Sequence, residues 1–214
     1  NKLFDSGPKQ RFAVFQTLIL TNTEMAHGTS IEKFGLKIKH KQHFGLMGRI
    51  DGKFVSETER VVAATNTLST EDYLECRAYA MLLDAILRFE PIQEIFDLLD
   101  ANSVNYSIFS MALYNSINSS PEKIKFVIEK FKNELLEEMH DSETEVIKYM
   151  EKNEENYKAG LKGGGNLKYS NMLWIDCFDV TFEWLFKTIR SVLKHKTDMS
   201  VQIDNVEKYL RYIY

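Results

Sequence analysis

The hydrophobic period of this chain changes near Thr65, and that change limits the folds available to it. Before Thr65, residues 36–41 place a lysine at every second position, which is the two-residue period of a strand. After Thr65, apolar residues recur every three or four positions, as they do from Ile124 to Leu135. We therefore predict a mainly α protein, in which a strand-containing N-terminal part (residues 1–64) precedes a helical body (residues 65–214).

Individual elements follow from local patterns. The apolar run from Phe12 to Leu20 predicts a buried strand over Thr17–Leu20, with a short helix as the alternative. Further strands are expected at Leu36–Lys41 and Arg60–Ala64, separated by a turn-rich passage around Gly45, Gly48 and Gly52. Predicted helices cover Tyr73–Phe89, a segment starting at Pro91, Val104–Asn115, segments starting at Pro121 and Ser142, Asn171–Lys194 and Val201–Ile213. Ser69 with Asp72 and Ser142 with Glu145 predict N-caps for two of these helices. The three glycines between Lys162 and Asn166 predict a loop.

Composition excludes several classes of protein. The 214 residues include 27 Lys and Arg against 31 Asp and Glu, and this acidic balance argues against nucleic acid as a partner. The most apolar stretch, Met172–Phe186, contains three carboxylates and is too short to span a bilayer. Only two cysteines, Cys76 and Cys177, are present. They predict free thiols in a reducing, cytoplasmic compartment rather than a disulfide framework, and the apolar surroundings of Cys76 predict a packed, inert thiol.

Three segments of the sequence share a resemblance to one family. They are Thr17-Leu-Ile-Leu-Thr-Asn-Thr-Glu-Met25, Glu32-Lys-Phe-Gly-Leu-Lys-Ile-Lys39 and Thr65-Asn-Thr-Leu-Ser-Thr-Glu-Asp-Tyr-Leu-Glu-Cys-Arg77. They resemble stretches that follow the catalytic core in the radical S-adenosylmethionine enzymes with a cobalamin-binding domain. Relatives carry Pro-Gly where this chain has Thr21-Asn22; because Asn tolerates the left-handed conformation, the turn is expected to survive.

The resemblance implies that this chain is the C-terminal region of a longer enzyme. Such an enzyme would use a [4Fe-4S] cluster, S-adenosylmethionine and cobalamin, and would carry out a methyl transfer or a carbon-centred rearrangement. Its cluster needs a Cys-x-x-x-Cys-x-x-Cys loop, which this chain lacks, so the chain is expected to hold no cofactor and no catalytic residue and to be inactive alone. Its partners would be its own radical and cobalamin-binding domains, and the excised region would self-associate through the apolar face they leave. The alternative is a stand-alone helical module that binds another protein.

Several residues are candidates for a site. The resemblance implies a substrate-facing role for Thr23 and Glu24, at the end of a barrel strand, and we add Arg49 as a third pocket residue. Lys37, Lys39, Lys41 and Arg49 form a basic strip that would meet a phosphate, an acidic domain face or solvent.

Other groups point more strongly to ordinary structure. His40 and His43 have no third metal ligand near them in sequence. Asp176, Asp179 and Glu183 share one helical face, where they would serve acid–base chemistry or, more simply, form a solvated face. No metal site is therefore predicted.

Overall fold

The computed structural model describes residues 17–89, 92–195 and 199–213, apart from the side chains of Phe44 and Gly45. The chain forms two compact units. The hairpin unit contains residues 17–78 and 130–165, and the aromatic unit contains residues 79–129 and 166–213. Within the described residues the chain thus passes from one unit to the other at three points, none of them at the expected boundary between residues 64 and 65.

A long β-hairpin dominates the hairpin unit. Strand β1 (Lys37–Ile50) pairs antiparallel with β2 (Lys53–Ala64), with register shifts after Lys37 and between Gln42 and Met47. Leu18 forms an antiparallel bridge with Val61 of β2, and next to it the Ile19 amide donates to the Arg60 carbonyl at 2.8 Å. The pairing predicted for Thr17–Leu20 is therefore confirmed as this short bridge, but the predicted burial was wrong, because only Ile19 is buried. Residues Phe12–Gln16 lie outside the described residues.

The prediction of a turn-rich passage around Gly45, Gly48 and Gly52 needs correction. Gly45 and Gly48 lie within β1, and only Asp51–Gly52 form the turn. Both residues have positive φ, +50° and +76°, as a two-residue type I′ hairpin turn requires. The Asp-Gly pair was the informative signal, because the right-handed twist of the strands favours that turn.

Helices complete the hairpin unit. They are α1 (Thr29–Phe34), the first part of α2 (Thr70–Arg88), the last part of α5 (Glu122–Glu137), α6 (Glu143–Lys152) and α7 (Glu154–Lys158). Both predicted caps are confirmed. Asp72 accepts from the backbone and hydroxyl of Ser69, whose own hydroxyl accepts from the Asp72 amide, and Ser142 forms a capping box with Glu145. The core of this unit contains Phe54, Val146 and Met150, packed against Met47, Ile147 and Tyr157.

The aromatic unit contains the rest of α2 and α5, together with α3 (Ile92–Ala101), α4 (Tyr106–Asn115), most of α8 (Gly165–Asn171), α9 (Phe178–Leu193) and α10 (Met199–Ile213). Its core includes a parallel stack of Phe89 on Trp174, with ring centroids 4.0 Å apart. The Trp174 indole N–H donates to the Ala85 carbonyl at 2.8 Å, so the polar end of this half-buried ring is satisfied. The mainly helical class is therefore confirmed.

Two predicted boundaries in this unit need correction. The expected helix Asn171–Lys194 is interrupted, because Met172–Asp176 form a π-helical turn before α9 begins at Phe178. The expected loop Lys162–Asn166 ends earlier, because α8 starts at Gly165. All three glycines there have positive φ, the conformation that side chains disfavour. Pro91 lies outside the described residues.

Candidate functional site

An open cleft of about 550 Å³ lies within the hairpin unit. That volume falls within the usual range for small-molecule sites. The lining combines four apolar side chains with hydroxyls, one amide and one ammonium group. The lining residues are Thr17, Met25, Lys33, Phe34, Leu36, Val62, Thr65, Asn66 and Thr67.

Three separate stretches of sequence build this cleft. Met25 comes from the first segment quoted above, Lys33, Phe34 and Leu36 come from the second, and residues 65–67 begin the third. The cleft therefore forms where the three segments that carry the family resemblance meet.

Gly35 and Asn66 fix the second segment against the third. The Asn66 amide donates to the Phe34 carbonyl at 2.9 Å, and its side-chain nitrogen lies 3.4 Å from the Lys33 carbonyl oxygen. Gly35 has φ +56°, and a Cβ at that position would lie 1.9 Å from Asn66 Oδ1. Only glycine meets both conditions without a shift of its neighbour.

The polar edge of the cleft is organised by Thr65. Its hydroxyl oxygen accepts from the backbone amides of Thr67 (3.2 Å) and Leu68 (3.1 Å), which folds the chain into a tight turn before α2. The turn holds Thr67 in the lining of the cleft.

Lys33 supplies the only charge in the cleft lining. Its ammonium lies 5.1 Å from the centre of the Phe34 ring, and both side chains are exposed. Among the described residues, no ion pair joins Lys33 to a carboxylate. The cleft therefore carries an uncompensated positive charge next to apolar surface.

Thr23 and Glu24 lie beside this cleft but do not line it. Thr23 precedes a short 3₁₀ turn, Glu24–Ala26, and its hydroxyl donates to the Leu20 carbonyl at 2.7 Å. The Glu24 side chain is exposed and directly precedes the lining residue Met25. Asn22 has φ +63°, so the residue that replaces the glycine of the resembling motif keeps the left-handed turn.

Arg49 lies far from Thr23 and Glu24. It pairs with Phe54 next to the hairpin turn, whereas the cleft lies at the Val62 end of β2, about 25 Å away at the usual rise per strand residue. Arg49 donates to Glu154 from Nε (3.0 Å) and Nη2 (2.7 Å), and from Nη1 to the Gly52 carbonyl (2.9 Å). Arg49 holds the pKa of the Glu154 carboxyl below its ordinary value, mainly through these hydrogen bonds.

Most of the predicted basic strip is paired within the same unit. Lys39 lies 2.6 Å from Asp141, Lys41 lies 3.4 Å from Glu59, and Arg49 binds Glu154. Three of its four cations thus bind carboxylates of this chain.

The two histidines have separate partners. His40 exchanges two backbone hydrogen bonds of 2.8 Å with His140, while His43 Nδ1 lies 2.9 Å from Glu59 Oε2. Within residues 17–89, 92–195 and 199–213, no three His, Cys, Asp or Glu side chains are grouped to hold a metal ion.

The remaining candidates lie on the surface of their units. Asp176 ends the π-helical turn whereas Asp179 and Glu183 lie on α9, and all three are exposed, which fits the solvated face. Cys76 is also exposed, so the prediction of a packed thiol was wrong. It lies on the outward side of α2, between the buried residues Leu74 and Ala78.

A second polar cluster joins the glycine loop to the helices of the hairpin unit. The Lys162 ammonium donates to Glu137 (2.7 Å) and to the Tyr149 hydroxyl (2.6 Å), and the Gly163 amide donates to Glu134 (2.8 Å). Burial raises the pKa of Tyr149, while Lys162 lowers the pKa of Glu137. A neutral phenol and a charged lysine are stable here, so the cluster is suited to holding the loop rather than to proton transfer.

Comparison with known proteins adds no relative: no protein-family model and no curated protein matches the chain. No helix of the described residues is long and apolar enough to cross a membrane. Our sequence analysis missed Lys33, Phe34 and Asn66 as site residues. All three lie inside the second and third of the segments quoted in the sequence analysis.

Proposed function

We propose that this chain is the C-terminal region of a cobalamin-dependent radical S-adenosylmethionine enzyme, where it covers the barrel and contributes a wall of the substrate pocket. One observation carries the proposal. Three segments that resemble the same family converge on one cleft, and the left-handed residue of the resembling turn is kept at Asn22.

The chemistry would belong to the other domains of the same protein. A [4Fe-4S] cluster with an open iron needs three thiolates, and the two cysteines here, Cys76 and Cys177, are separated by a hundred other residues. The region would act by shaping the pocket and by shielding radical intermediates from water. The proposal includes a cytoplasmic location and a reaction that is a methyl transfer or a carbon-centred rearrangement.

An apolar face of the hairpin supports the proposed partner, which is the rest of the same protein. Near the hairpin turn, Phe54 and Met47 face the core of the unit. Val55 and Ile50 lie on the other face and are 39% and 63% exposed. Exposed apolar strand residues mark a surface that another domain would cover, and in the excised region this face would promote self-association.

The test begins with the coding sequence upstream of Asn1. We expect an in-frame Cys-x-x-x-Cys-x-x-Cys loop and a cobalamin-binding region. Their absence upstream would contradict the proposal.

The same protein then allows a test of the cleft. In the full-length protein with a reconstituted cluster, Thr67→Trp should fill the cleft and abolish turnover. The cluster and cobalamin absorbance should stay unchanged, and Lys152→Gln, at an exposed lysine that ends α6, is the matched surface control. Full turnover in Thr67→Trp would exclude the cleft from the substrate pocket.

A further inference from the structure

The cleft has the chemistry of a site for an amphipathic anion. Met25, Phe34 and Val62 offer apolar surface, while Lys33 places one ammonium group beside the Phe34 ring. Apolar walls with few polar groups are typical of small-molecule sites, in which the polar groups fix the orientation of the ligand.

The charge of Lys33 is available to a ligand. Some cations of the hairpin unit are already bound by carboxylates, as Lys39 is by Asp141 and Arg49 is by Glu154. Lys33 has no such partner among the described residues, and its ammonium contacts only an aromatic ring. An incoming anion would therefore form a new ion pair without displacing an existing one.

The polar groups around Lys33 suit a carboxylate better than a phosphate. A phosphate dianion is usually held by several cations or by a forked arginine, and the cleft lining contains one lysine and no arginine. A carboxylate needs a single charge and one or two additional donors, which the hydroxyls of Thr17 and Thr67 can supply.

We infer that this cleft binds a small amphipathic carboxylate, with its apolar body on Met25, Phe34 and Val62 and its head group on the Lys33 ammonium. The inference rests on the proposed function, because it names the class of substrate that the same cleft would take. Binding itself needs only this chain, so it can be measured without a cluster, S-adenosylmethionine or cobalamin.

The experiment is a calorimetric or NMR titration of the chain with octanoate, octylammonium, 1-octanol and octyl phosphate. Octanoate should bind more tightly than octylammonium and 1-octanol. Lys33→Gln should weaken the binding of octanoate roughly fivefold to tenfold, the usual range for one partly exposed charge-assisted contact. The affinity for 1-octanol should stay unchanged. Lys53→Gln, which removes another exposed lysine at the hairpin turn, should change neither affinity.

Several outcomes would overturn the inference. They are equal binding of octanoate and octylammonium, an unchanged octanoate affinity in Lys33→Gln, or binding that survives Thr67→Trp. Tighter binding of octyl phosphate than of octanoate would overturn the assignment to carboxylates. A chain that fails to bind octanoate while the full-length protein turns over would separate this inference from the proposed function.

Discussion

At the scale of single residues, the wall of the cleft depends on the contact between Gly35 and Asn66. The backbone of Asn66 is held by the Phe34 carbonyl, so its side chain can give way to a new Cβ only by rotating and losing its contact with the Lys33 carbonyl. Any residue other than glycine at position 35 also adopts a left-handed backbone at a cost.

We therefore predict that Gly35→Ala lowers the free energy of unfolding by about 2–3 kcal/mol, of which about 1–2 kcal/mol is left-handed strain. Gly52→Ala is the matched control, because Gly52 also has positive φ but open space at its Cβ position. Urea denaturation should show a smaller loss for Gly52→Ala. In the double variant Gly35→Ala with Asn66→Ala, the loss of stability beyond that of Gly52→Ala should be recovered. Equal losses of stability in Gly35→Ala and Gly52→Ala would contradict the steric argument.

The Glu137–Lys162 pair gives a stability that depends on pH. Lys162 holds the pKa of Glu137 below its ordinary value of 4.5, so the folded state favours the charged carboxylate. The ion pair therefore stabilises the fold at pH values above the ordinary pKa of 4.5. This stabilisation is lost as the pH falls through the lower pKa of Glu137 in the folded state.

We predict that Glu137→Gln lowers the free energy of unfolding by about 0.5 kcal/mol at pH 7, the usual worth of an exposed ion pair. As the pH falls below 4.5 and through the lowered pKa of folded Glu137, the difference between the variant and the wild type should shrink toward zero. The difference in stability is measured from the urea midpoints of the variant and the wild type at pH 7 and pH 3.5. Glu143→Gln, which replaces an exposed glutamate of a helix, is the control. A difference that is the same at both pH values would show that the charge has no role.

At the scale of elements, Arg49 joins the end of the hairpin to α7. Its guanidinium donates three hydrogen bonds, two to Glu154 and one to the Gly52 carbonyl. The N–H groups of this candidate pocket residue are therefore bound to groups of the same chain. The forked guanidinium geometry makes a lysine a poor substitute.

We predict that Arg49→Met increases amide hydrogen exchange at residues 48–55 without changing exchange in α9. Arg49→Lys should give most of the same effect, because one ammonium group cannot reproduce the forked contact with Glu154. Octanoate affinity should stay unchanged in both variants. A loss of octanoate binding in Arg49→Met would return this residue to the binding site.

Sequence reasoning was most accurate for elements with a strong period or a cap. The capping pairs at Ser69 and Ser142 start α2 and α6, and the lysine alternation marked the beginning of β1. It failed where pairing overrides local preference: the ladder with β2 carries β1 through Gly48, although glycine is a poor strand residue.

The candidate site was predicted less completely than the fold. Thr23 and Glu24 lie beside the cleft because they share a segment with Met25. Arg49 was taken for a pocket residue because positive charge alone does not reveal its carboxylate partner, which lies more than a hundred residues away in sequence. Lys33 was overlooked because its significance depends on the absence of a nearby carboxylate among the described residues, a property of three dimensions.

At the scale of the whole molecule, the two units are interleaved along the chain. All three passages within the described residues lie inside helices, because α2, α5 and α8 each contribute residues to both units. Both tryptophans, Trp174 and Trp184, belong to the aromatic unit, so their fluorescence reports on that unit alone.

We predict that the two units unfold together, since continuous helices cannot melt in one unit without fraying in the other. Phe54→Ala, in the core of the hairpin unit, should cost about 3–4 kcal/mol. Tryptophan fluorescence and far-ultraviolet circular dichroism should then shift to the same lower urea midpoint. A fluorescence transition that stays at the wild-type midpoint would show that the units unfold independently.

The same interleaving has a consequence for synthesis on the ribosome. The hairpin emerges early, but Val146 and Met150, which cover Phe54, follow about ninety residues later. Translation adds about 5–20 residues per second, so a nascent hairpin waits several seconds with its inner face uncovered. In the cell, this interval is the period in which the chain most depends on chaperones that shield apolar strands.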